Sequence, residues 1–597
     1  MDGDFGPVGR SAIFEAITSR EGSSDHIERL SLERGETLIE QGTQADTLFL
    51  VETGRLKVLR DGIELAEIGA GQVVGEIAFL TGSPRTADVI AGRDSVVLRL
   101  TRAHFDDLTA GHPGLLADIA RDLASRLANT SARVRPEAQP PVARTIALIP
   151  AGDTPLDAEF VARLSAQVSA YEPRVRVVDQ EAALAELGPG LTGPDAAHWF
   201  NQLEITAPIV LYVGAQNAPD WSARILRQAD QVMIVGTAGA PPELSQTERL
   251  ACEVVPESHR RLVLIHPERR DTVEGTTAWL DSRPAFMHHH VALQDDADVA
   301  RIARFLTGKA VGFVAAGGGA MGALHTGIVQ GLHQRGVTFD IYGGTSVGSA
   351  MSGAFAMGLD GDAINKQTGE MFVKGGALAK LTVPKYSLLD HTHFDRYLAK
   401  HYTDVLIEDL WFPYYAVATD LSDNSQKVIR RGKLWHAIRA SAAIPGALPP
   451  FFDGTGSMLA DGGSMDNMPY RVMHALKSGP NVVVSFAREG RQTFDVAYEK
   501  MPGRRSLLRR LVLPFGKRPP RAPGVVSVVM RAVMARQAAD ALDLAPDDWL
   551  IRPPIPPGTG FLDWKSHDKL YRIGQDTVGA LLDDPEAPGD ARRHFLG

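Results

Sequence analysis

One motif in the chain contains the residue types that nucleophilic catalysis requires. A serine lies between two glycines in Gly344-Thr345-Ser346-Val347-Gly348, after the apolar stretch VTFDIYGG and before the small-residue stretch SAMSGAFAMG. A G-x-S-x-G sequence between a strand and a helix is typical of a nucleophile elbow, a strained turn that presents the serine. Its glycines permit the crowded backbone. Ser346 is therefore the candidate nucleophile.

A glycine run lies one predicted strand–helix unit before this serine. The run GGGAMG, residues 317–322, follows the apolar stretch VGFVAA and precedes the helical pattern ALHTGIVQGLHQRG. Backbone N–H groups at such a junction point outward at the positive end of a helix, which suits a phosphate or an oxyanion. A tight turn or a nucleotide-binding loop would have the same pattern. The position next to the serine motif favours an oxyanion hole.

A serine hydroxyl needs a base, and an aspartate downstream is the first candidate. The apparent strand SMLA leads into Asp461-Gly462-Gly463. One interpretation makes Asp461 the direct base. A second is a Ser-Asp-His triad, and a third is a turn-forming aspartate, which is the common role of an Asp-Gly pair. The histidines that could complete a triad are His474, His567 and His594.

Length and composition indicate an ordinary soluble protein with several domains. The chain has 597 residues, enough for about two to four domains, of which 44 % are hydrophobic and 22 % charged. Its formal charge of −10 argues against nucleic acid as a partner. Cys252 is the only cysteine, so no intrachain disulfide can form, and a reducing compartment is compatible with the sequence. We find no secretion signal and no run of the ~20 apolar residues that a membrane span needs, so we expect any lipid contact to be peripheral.

The N-terminal part has the pattern of a small antiparallel β-roll closed by helices. Apolar residues alternate with period two over residues 37–100, and turn signals at Gly54 and Asp61-Gly62 separate the segments. Helical periodicity follows, and a Pro-containing stretch at residues 135–141 is typical of a linker. The apolar stripe of the predicted helix consists of Leu115, Ile119, Leu123 and Leu127. We therefore assign residues 1–135 to the first domain.

The remaining chain is predicted to form two α/β domains. Residues 136–308 alternate short apolar strands with amphipathic helices, the rhythm of a parallel, Rossmann-like sheet. This region contains neither a complete GxxxxGK[ST] loop nor a GxGxxG sequence after its first strand, so we expect a structural or docking role there. Residues 309–597 hold the three motifs, and we predict that they form an α/β hydrolase domain with a C-terminal extension.

The sequences GGGAMG, GTSVG and DGG, in this order, resemble those of the patatin-like phospholipases. The segments DAAHWFNQLE, LIEDLWFPYYAVATDLS and LWHAIRASAAIPGALPPF resemble the neuropathy target esterase subgroup, as does the domain order, so that the resemblance covers nearly the whole chain. It implies a Ser-Asp dyad that needs no histidine, metal or catalytic cofactor. It also implies hydrolysis of acyl esters of lysophospholipids or related phospholipids on the cytoplasmic side of a membrane.

The resemblance assigns roles to individual residues. Ser346 would accept the acyl group and Asp461 would accept the proton. The amides of the oxyanion hole would come from Gly317, Gly318, Gly319 and Val347. The glycines that would support the motifs are Gly322, Gly344, Gly348, Gly462 and Gly463. The chain departs from the family at Met321, where most relatives place Arg or Lys, so we expect an active enzyme whose glycine loop lacks that charge.

Two short sequences in the predicted β-roll resemble the phosphate-binding cassette of cyclic-nucleotide-binding domains. They are Gly75-Glu76-Ile77-Ala78 and Arg85-Thr86. The resemblance implies that Arg85 and a helix N-terminus bind the cyclic phosphate, and that Glu76 accepts a hydrogen bond from the ribose. Cyclic AMP or cyclic GMP is the expected regulator. The alternative is a protein-interaction module in which Arg85 forms a structural ion pair with Glu76.

A basic and apolar segment lies near the C-terminal side. PGRRSLLRRLVLPFGKRPPR has seven basic residues between Arg504 and Arg521, around leucines and without an acidic residue. Such a segment suits the surface of an anionic bilayer, which would make the protein cytoplasmic and peripheral on the inner face of the membrane. The alternative is an arginine-rich surface loop that pairs with acidic patches.

Two other functions fit parts of the sequence. A catalytically silent cyclic-nucleotide sensor or scaffold would explain Met321, and esterase turnover would exclude it. A Ser-Asp-His hydrolase of soluble esters would depend on a histidine and would be indifferent to micelles. The lipid esterase accounts for the whole ordered set of motifs and is the favoured interpretation.

Overall fold

The computed structural model describes residues 27–111, 117, 142–188, 193–487, 496–506, 522, 524, 528–529 and 542–583. These residues belong to two compact units, Met1–Lys309 and Ala310–Gly597. The first unit contains a β-roll and a parallel α/β sheet, and the second contains one mixed sheet with helices. In the described part of the chain, no helix is long and apolar enough to cross a membrane.

An antiparallel β-roll opens the first unit, as the alternating pattern predicts. Its strands are β1 (Glu28–Leu32), β2 (Thr37–Ile39), β3 (Thr47–Thr53), β4 (Arg55–Arg60), β5 (Ile63–Gly69), β6 (Val73–Val74), β7 (Asp88–Ala91) and β8 (Ser95–Thr101). They form two sheets in the orders β1-β8-β3-β6 and β2-β7-β4-β5. Helix α1 (Glu76–Thr81) lies between β6 and β7, and helix α2 (Arg102–Gly111) follows β8.

The turns of the roll form where backbone chemistry favours them. Asp61 and Gly62 join β4 to β5 with positive φ angles of 52° and 80°, which an Asp-Gly pair adopts readily in a two-residue hairpin. Alternate side chains, among them Leu50 and Leu56, are buried in the apolar clusters of the roll. The predicted stripe of Leu115, Ile119, Leu123 and Leu127 lies outside the described residues, as does the predicted linker at residues 135–141.

A six-stranded parallel sheet completes the first unit and confirms the Rossmann-like prediction. Its strands are β9 (Thr145–Pro150), β10 (Arg176–Val178), β11 (Val210–Val213), β12 (Gln231–Thr237), β13 (Arg260–His266) and β14 (Met287–Ala292). The order is β10-β11-β9-β12-β13-β14, and all neighbours are parallel. The helices are α3 (Ala158–Tyr171), α4 (Gln180–Leu187), α5 (Pro194–Thr206), α6 (Pro219–Gln228), α7 (Gln246–Val254), α8 (Thr276–Ser282) and α9 (Asp296–Leu306).

Both faces of this sheet are buried, which explains its almost continuous apolar strands. Ile149 of β9 belongs to the apolar cluster on one face, and its neighbour Leu148 belongs to the cluster on the other. The sequence pattern does not reveal the two edge strands. β10 has only three residues and exposes Val177, and β14 is formed by the polar sequence MHHHVA.

The second unit contains an eight-stranded sheet. Its strands are β15 (Gly312–Ala315), β16 (Ile341–Thr345), β17 (Tyr414–Asp420), β18 (Ser425–Ile429), β19 (Phe451–Phe452), β20 (Met458–Asp461), β21 (Asn481–Val484) and β22 (Trp549–Ile551). The order is β19-β20-β17-β16-β15-β21-β22, with β18 beside β17. The helices are α10 (Gly322–His333), α11 (Val347–Ala356), α12 (Gly361–Thr368), α13 (His391–Tyr402), α14 (Leu434–Ser441), α15 (Tyr470–Leu476) and α16 (His567–Asp583). A π-helical turn, Gly369–Lys374, follows α12.

The sheet order brings the candidate site residues together. β15 and β16 are parallel neighbours, so the glycine run after β15 and the serine after β16 emerge at the same edge of the sheet. Thr345 at the end of β16 pairs with Val417 of β17. β20 runs antiparallel to β17 and places Asp461 opposite Ala418. The aspartate and the serine thus lie at the ends of β20 and β16, with only β17 between these two strands in the sheet.

Candidate active site

Ser346 occupies the turn between β16 and α11 with φ 55° and ψ −125°. A positive φ is uncommon for a residue with a side chain and marks a strained position. A Cβ atom on Gly344 or Gly348 would lie 2.6 or 2.1 Å from the Ala315 carbonyl oxygen, so this tight packing needs glycine at both positions. The turn has the geometry of a nucleophile elbow. Ser346 is only 4 % exposed and lines a pocket, whereas the motif predicts a side chain that is presented at the surface.

Asp461 is the hydrogen-bond partner of the serine hydroxyl. Ser346 Oγ donates to Asp461 Oδ2 over 2.6 Å, and the Gly463 amide donates to Oδ1 over 2.8 Å. Burial raises the pKa of Asp461 to about 6, although the hydrogen bonds from Ser346 and Gly463 lower it. A Cβ on Gly462 would lie 2.2 Å from the Val417 carbonyl oxygen, so glycine lets this turn pack against β17. A carboxylate of this basicity can accept a proton from the serine as it attacks a carbonyl carbon.

A second serine holds the backbone of the nucleophile. The Ser346 amide donates to Ser441 Oγ over 2.8 Å, and the Ser441 hydroxyl donates to the Val417 carbonyl oxygen over 2.5 Å. Ser441 is the last residue of α14 and is fully buried. It therefore ties the strained turn to β17. Sequence reasoning missed Ser441, because its partner Ser346 lies 95 residues away in the chain. The RASAAIP segment that contains Ser441 was part of the family resemblance, but the resemblance assigned this serine no role.

The amides of the glycine loop are not equivalent. The Gly317 amide donates to the Asn467 carbonyl oxygen over 3.1 Å. It is therefore already engaged, which differs from its predicted place in an oxyanion hole. The amides of Gly318, Gly319 and Val347 donate to no acceptor among the described residues. Gly319 and Val347 both line the pocket that contains Ser346. Their amides are therefore candidates to stabilise an oxyanion formed next to the serine.

Two residues that the motifs do not include hold this loop. The Ala320 amide donates to the Phe561 carbonyl oxygen over 2.8 Å. Gly319 has a φ of 59°, and a Cβ atom there would lie 2.2 Å from the same oxygen. On the other side, the Asn467 side-chain amide donates to the Gly317 carbonyl oxygen over 3.3 Å. Segments that precede the C-terminal helix and follow the aspartate turn thus determine the shape of the loop.

Met321 packs into the apolar core of the second unit. A Cβ atom on Gly318 would be 3.3 Å from its methyl group. Gly322 begins α10, and a Cβ there would lie 2.3 Å from a Val347 methyl group. At the position where the resemblance expects Arg or Lys, apolar packing therefore supports the loop.

The candidate triad histidines have other neighbours. His474 Nε2 lies 2.6 Å from Asp548 Oδ2, and His567 Nδ1 lies 3.4 Å from the Asp568 carboxylate. His594 lies outside the described residues. No histidine that the structure describes is hydrogen-bonded to the serine or the aspartate of the dyad. Across the same ranges, no group of three or more His, Cys, Asp or Glu residues could hold a metal ion.

An apolar pocket of about 870 Å³, part of it open to solvent, extends from the serine. Its walls come from the helices around the elbow, the π-helical turn and the segment before α16. The apolar side chains that line it include Met351, Ile364, Phe372, Leu398, Ile438 and Trp564. Phe372 and Trp564 stack with their ring centroids 3.5 Å apart. A hydrocarbon chain fits the chemistry of these walls, with the serine hydroxyl as a polar group beside it.

The predicted cyclic-nucleotide cassette joins β6 to β7 in the β-roll. Residues 75–78 form the start of α1, and Thr86 is exposed. The buried Arg85 guanidinium donates to the Gly75 carbonyl oxygen over 2.7 Å and to the Thr47 carbonyl oxygen over 2.6 Å. The Arg85 side chain is thus hydrogen-bonded to the backbone of the cassette, the segment to which the resemblance assigns phosphate binding.

Three family models match the chain. Residues 29–112 match the cyclic nucleotide-binding domain, and residues 142–310 match the neuropathy target esterase family P-loop like domain. Residues 313–474 match the patatin-like phospholipase. The third match includes the glycine loop, the elbow and the aspartate turn.

Curated proteins match most of the chain at moderate identity. A patatin-like phospholipase domain-containing protein of Caenorhabditis elegans is 28 % identical over 95 % of this chain and 47 % of its own length. A lysophospholipase of Neosartorya fischeri is 27 % identical over 92 % of this chain and 41 % of its own length. The neuropathy target esterase sws of Drosophila melanogaster is 28 % identical over 74 % of this chain and 35 % of its own length. The chain spans about half the length of these relatives or less.

Among solved structures, a cyclic nucleotide-binding domain from Methylobacillus flagellatus is 27 % identical over 18 % of this chain and 67 % of that chain, with a TM-score of 0.18. The resemblance that the motifs indicate is confirmed by the family models and the curated relatives. The chain carries, in this order, a cyclic nucleotide-binding domain, a P-loop like domain of the neuropathy target esterase family and a patatin-like phospholipase domain.

Proposed function

We propose that this protein is a serine esterase that hydrolyses acyl esters of lysophospholipids or related phospholipids. The observation that carries the proposal is the 2.6 Å hydrogen bond from Ser346 Oγ to the buried Asp461 carboxyl group, beside an apolar pocket. The names of the relatives, which include lysophospholipases, support the same substrate class. An acyl chain in the pocket would place its ester carbonyl next to the serine.

The proposed reaction proceeds through an acyl-enzyme. Asp461 accepts the hydroxyl proton while Ser346 Oγ forms a bond to the ester carbonyl carbon. The bond from that carbon to the glycerol oxygen then breaks, and the leaving oxygen takes the proton from Asp461. A water molecule next attacks the acyl-enzyme and gives its proton to Asp461. Release of the fatty acid returns that proton to Ser346.

The oxyanion of each tetrahedral intermediate would be stabilised by backbone amides. We assign this role to Gly318, Gly319 and Val347, because these amides have no acceptor among the described residues. Loss of one such donor typically costs about 3 kcal/mol of transition-state stabilisation. Gly317 would act indirectly by fastening the loop to Asn467.

Fatty-acid release from micellar lysophosphatidylcholine tests the proposal. Wild-type protein should release fatty acid, and Ser346→Ala and Asp461→Asn should each abolish release. His474→Ala and His567→Ala are the matched controls and should retain activity, because neither histidine touches the dyad. Loss of turnover in either histidine variant would favour the triad. No release from lysophospholipid, phospholipid or aryl ester by the wild type would support a silent scaffold.

We further propose that cyclic AMP or cyclic GMP modulates this activity through the β-roll. The cyclic nucleotide-binding match and the placement of Arg85 against the cassette support this role. Binding would require Arg85 to exchange its contact with the Gly75 carbonyl for the cyclic phosphate. Calorimetric titration of the full chain with each nucleotide, beside Arg85→Leu, tests the idea. Wild-type heat that is lost in the variant is expected, and no heat in the wild type would reject the ligand.

The location that we propose is cytoplasmic and peripheral on the inner face of the membrane. The basic segment between Arg504 and Arg521 is the sequence feature that supports it. Only residues 504–506 of this segment lie within the described ranges, and both arginines there are exposed. Charge reversal of the segment should lower the share of the protein that is recovered with cell membranes during fractionation. Unchanged membrane recovery would contradict the proposal.

A further inference from the structure

A loop of the second unit exposes large apolar side chains. Residues 379–386, here called the rim loop, are all exposed. Leu381, Val383 and Tyr386 are 79, 81 and 73 % accessible. Single exposed apolar residues are ordinary on a protein surface, but three within six positions form a patch of the kind that marks an interaction site.

The rim loop is held by the backbone at its base. Leu381 and Leu389 form an isolated antiparallel bridge. The Thr382 amide donates to the Leu388 carbonyl oxygen over 3.1 Å, and the Asp390 amide donates to the Lys380 carbonyl oxygen over 2.9 Å. These contacts give the loop a hairpin-like base, so a hydrogen-bonded backbone carries its exposed apolar side chains.

The rim loop lies beside the pocket that contains the dyad. Leu378, directly before the loop, lines the pocket. After the loop, the amides of Leu388 and Leu389 donate to the carbonyl oxygens of Gly446 and Ala447 over 2.9 and 3.0 Å. This acceptor segment is flanked by Ile444 and Leu448, which also line the pocket. Both ends of the loop are therefore attached to the wall of the cavity.

Other exposed apolar side chains occur at the same wall. Leu562 lines the pocket and is 41 % exposed. Val373, directly after the pocket residue Phe372, is equally exposed. The pocket thus reaches the surface among side chains that water solvates poorly.

The rim loop itself carries positive charge, from Lys380 and Lys385, although the whole chain has a formal charge of −10. Lys374 lies shortly before the loop, and the acidic residues that flank residues 371–389 are Glu370 and Asp390. Lys385 Nζ lies 5.1 Å from the centre of the Tyr386 ring. Lysines that surround exposed leucine, valine and tyrosine side chains match the chemistry of an anionic lipid surface, where the apolar groups enter the interface and the cations meet phosphate.

We propose that the rim loop inserts into the interface of an anionic phospholipid surface and holds the mouth of the apolar pocket against it. An acyl chain can then pass from the lipid to the pocket without crossing water. The substrate side of this inference rests on the proposed function, whereas the contact with lipid is independent of turnover and can be measured without it.

Vesicle co-sedimentation of the full chain in a Ser346→Ala background tests the contact. Vesicles of phosphatidylcholine with phosphatidylserine should bind the Ser346→Ala protein. Combined Leu381→Asp, Val383→Asp and Tyr386→Asp changes should lower the partition coefficient at least tenfold. Ile63→Asp, at an exposed position of the β-roll, is the control and should bind like its parent. Parental binding by the triple variant, or no binding by the parent, would overturn the proposal and leave the patch for a protein partner.

A soluble aryl ester separates this inference from the proposed function. With Ser346 restored, the triple variant should hydrolyse the soluble ester within about twofold of wild type, which also shows that it is folded. Its release of fatty acid from vesicles should fall about tenfold or more. Equal loss on both substrates would contradict an interfacial role. Failure of the wild type on both substrates, with vesicle binding intact, would reject the esterase and retain the lipid contact.

The lysines test the preference for anionic lipid. Lys374→Gln, Lys380→Gln and Lys385→Gln together should remove a measurable part of the gain in binding that phosphatidylserine gives over phosphatidylcholine alone, and the basic segment between Arg504 and Arg521 would supply the rest. Binding to phosphatidylcholine should remain, because the apolar side chains are intact. An unchanged response to phosphatidylserine would show that these lysines do not contribute to binding of anionic lipid.

Discussion

At the scale of single residues, Asp461 combines complete burial with a hydrogen bond to the hydroxyl that it would deprotonate. Burial disfavours the charged carboxylate and raises its pKa to about 6, which makes it a stronger base than an exposed aspartate. The same carboxyl group remains ionised at neutral pH. In the proposed mechanism, Asp461 would therefore supply a base of suitable strength without a histidine.

The pH dependence of turnover follows from this pKa. A base must be ionised to act, so kcat/KM on a soluble ester should rise as the pH increases through about 6 and then level off. Wild-type activity measured between pH 4.5 and 8, a range set about two units around that pKa, checks this prediction. A midpoint near 6 that persists in His474→Ala and His567→Ala would assign it to the dyad. A midpoint that either change removes would contradict the assignment.

Ser441 should affect turnover without contacting substrate. Ser441→Ala removes the hydrogen bonds that the Ser441 hydroxyl makes with the Ser346 amide and the Val417 carbonyl oxygen. The strained turn then loses its link to β17. We expect kcat to fall about tenfold to a hundredfold, with KM changed less than about threefold, because orientation of the nucleophile is lost and binding is not.

A matched serine separates this effect from a general loss of packing. Ser352 is also fully buried and donates to a strand carbonyl oxygen, that of Gly343, over 3.0 Å, but it does not bond to the nucleophile. Ser352→Ala should keep kcat within about threefold. Equal losses of kcat in the two variants would show that Ser441 contributes only to stability.

At the scale of elements, the C-terminal helix α16 and helix α10 approach each other very closely. A Cβ atom on Gly327 would lie 2.0 Å from the Tyr571 carbonyl oxygen, and one on Gly574 would lie 2.5 Å from the Leu324 carbonyl oxygen. Glycines on both helices allow this contact. It anchors the segment before α16, which supplies Phe561 to the glycine loop and Trp564 to the pocket.

Gly327→Ala should therefore disturb both stability and the site. The new methyl group cannot be accommodated without separating the helices, and overpacking of this kind costs about 1–3 kcal/mol. Chemical denaturation and ester turnover should both show the loss. Gly503→Ala is the control, since nothing lies within 4 Å of its Cβ position. A wild-type denaturation midpoint for Gly327→Ala would contradict the close packing.

The sequence pattern predicted most elements near the site, but not how they are joined. VGFVAA, VTFDIYGG and SMLA appear as β15, β16 and β20, because apolar runs bounded by glycine are strong strand signals. The placement of β20 beside β17 depends on antiparallel pairing across the sheet, which no local pattern encodes. The π-helical turn, Gly369–Lys374, likewise has no sequence signal that we recognised.

At the scale of the whole first unit, a buried ionic cluster joins the β-roll to the α/β sheet. Arg93 of the roll is paired with Asp230 over 2.8 Å and with Glu204. Asp94 accepts from Arg224 over 2.6 Å and from Arg227 over 3.1 Å. Burial alone would raise the pKa of Asp230, but the neighbouring arginines and two amides reverse this and lower it. The roll and the sheet are therefore expected to unfold together.

Asp230→Asn should weaken this connection strongly. The change removes one of the two carboxylates that pair with the buried Arg93 and leaves only Glu204. Breaking a buried ion pair lowers the free energy of unfolding by about 3–5 kcal/mol. Guanidinium denaturation followed by tryptophan fluorescence should show the loss. Glu64→Gln breaks the more exposed Lys57–Glu64 pair and should cost less than about 1 kcal/mol. Equal effects of the two changes would contradict a structural role for the cluster.

The sequence by itself indicated the resemblance to the patatin-like phospholipases, the order of the matched domains, and Ser346 and Asp461 as the candidate dyad, because these depend on short motifs whose residue types are chemically constrained. Only the tertiary structure decided that the Gly317 amide is engaged, that Ser441, Asn467 and Phe561 hold the site, and that an exposed basic and apolar loop borders the pocket. Those properties arise from contacts between distant segments, and a hydrogen-bond partner or an exposed face exists only after the chain has folded.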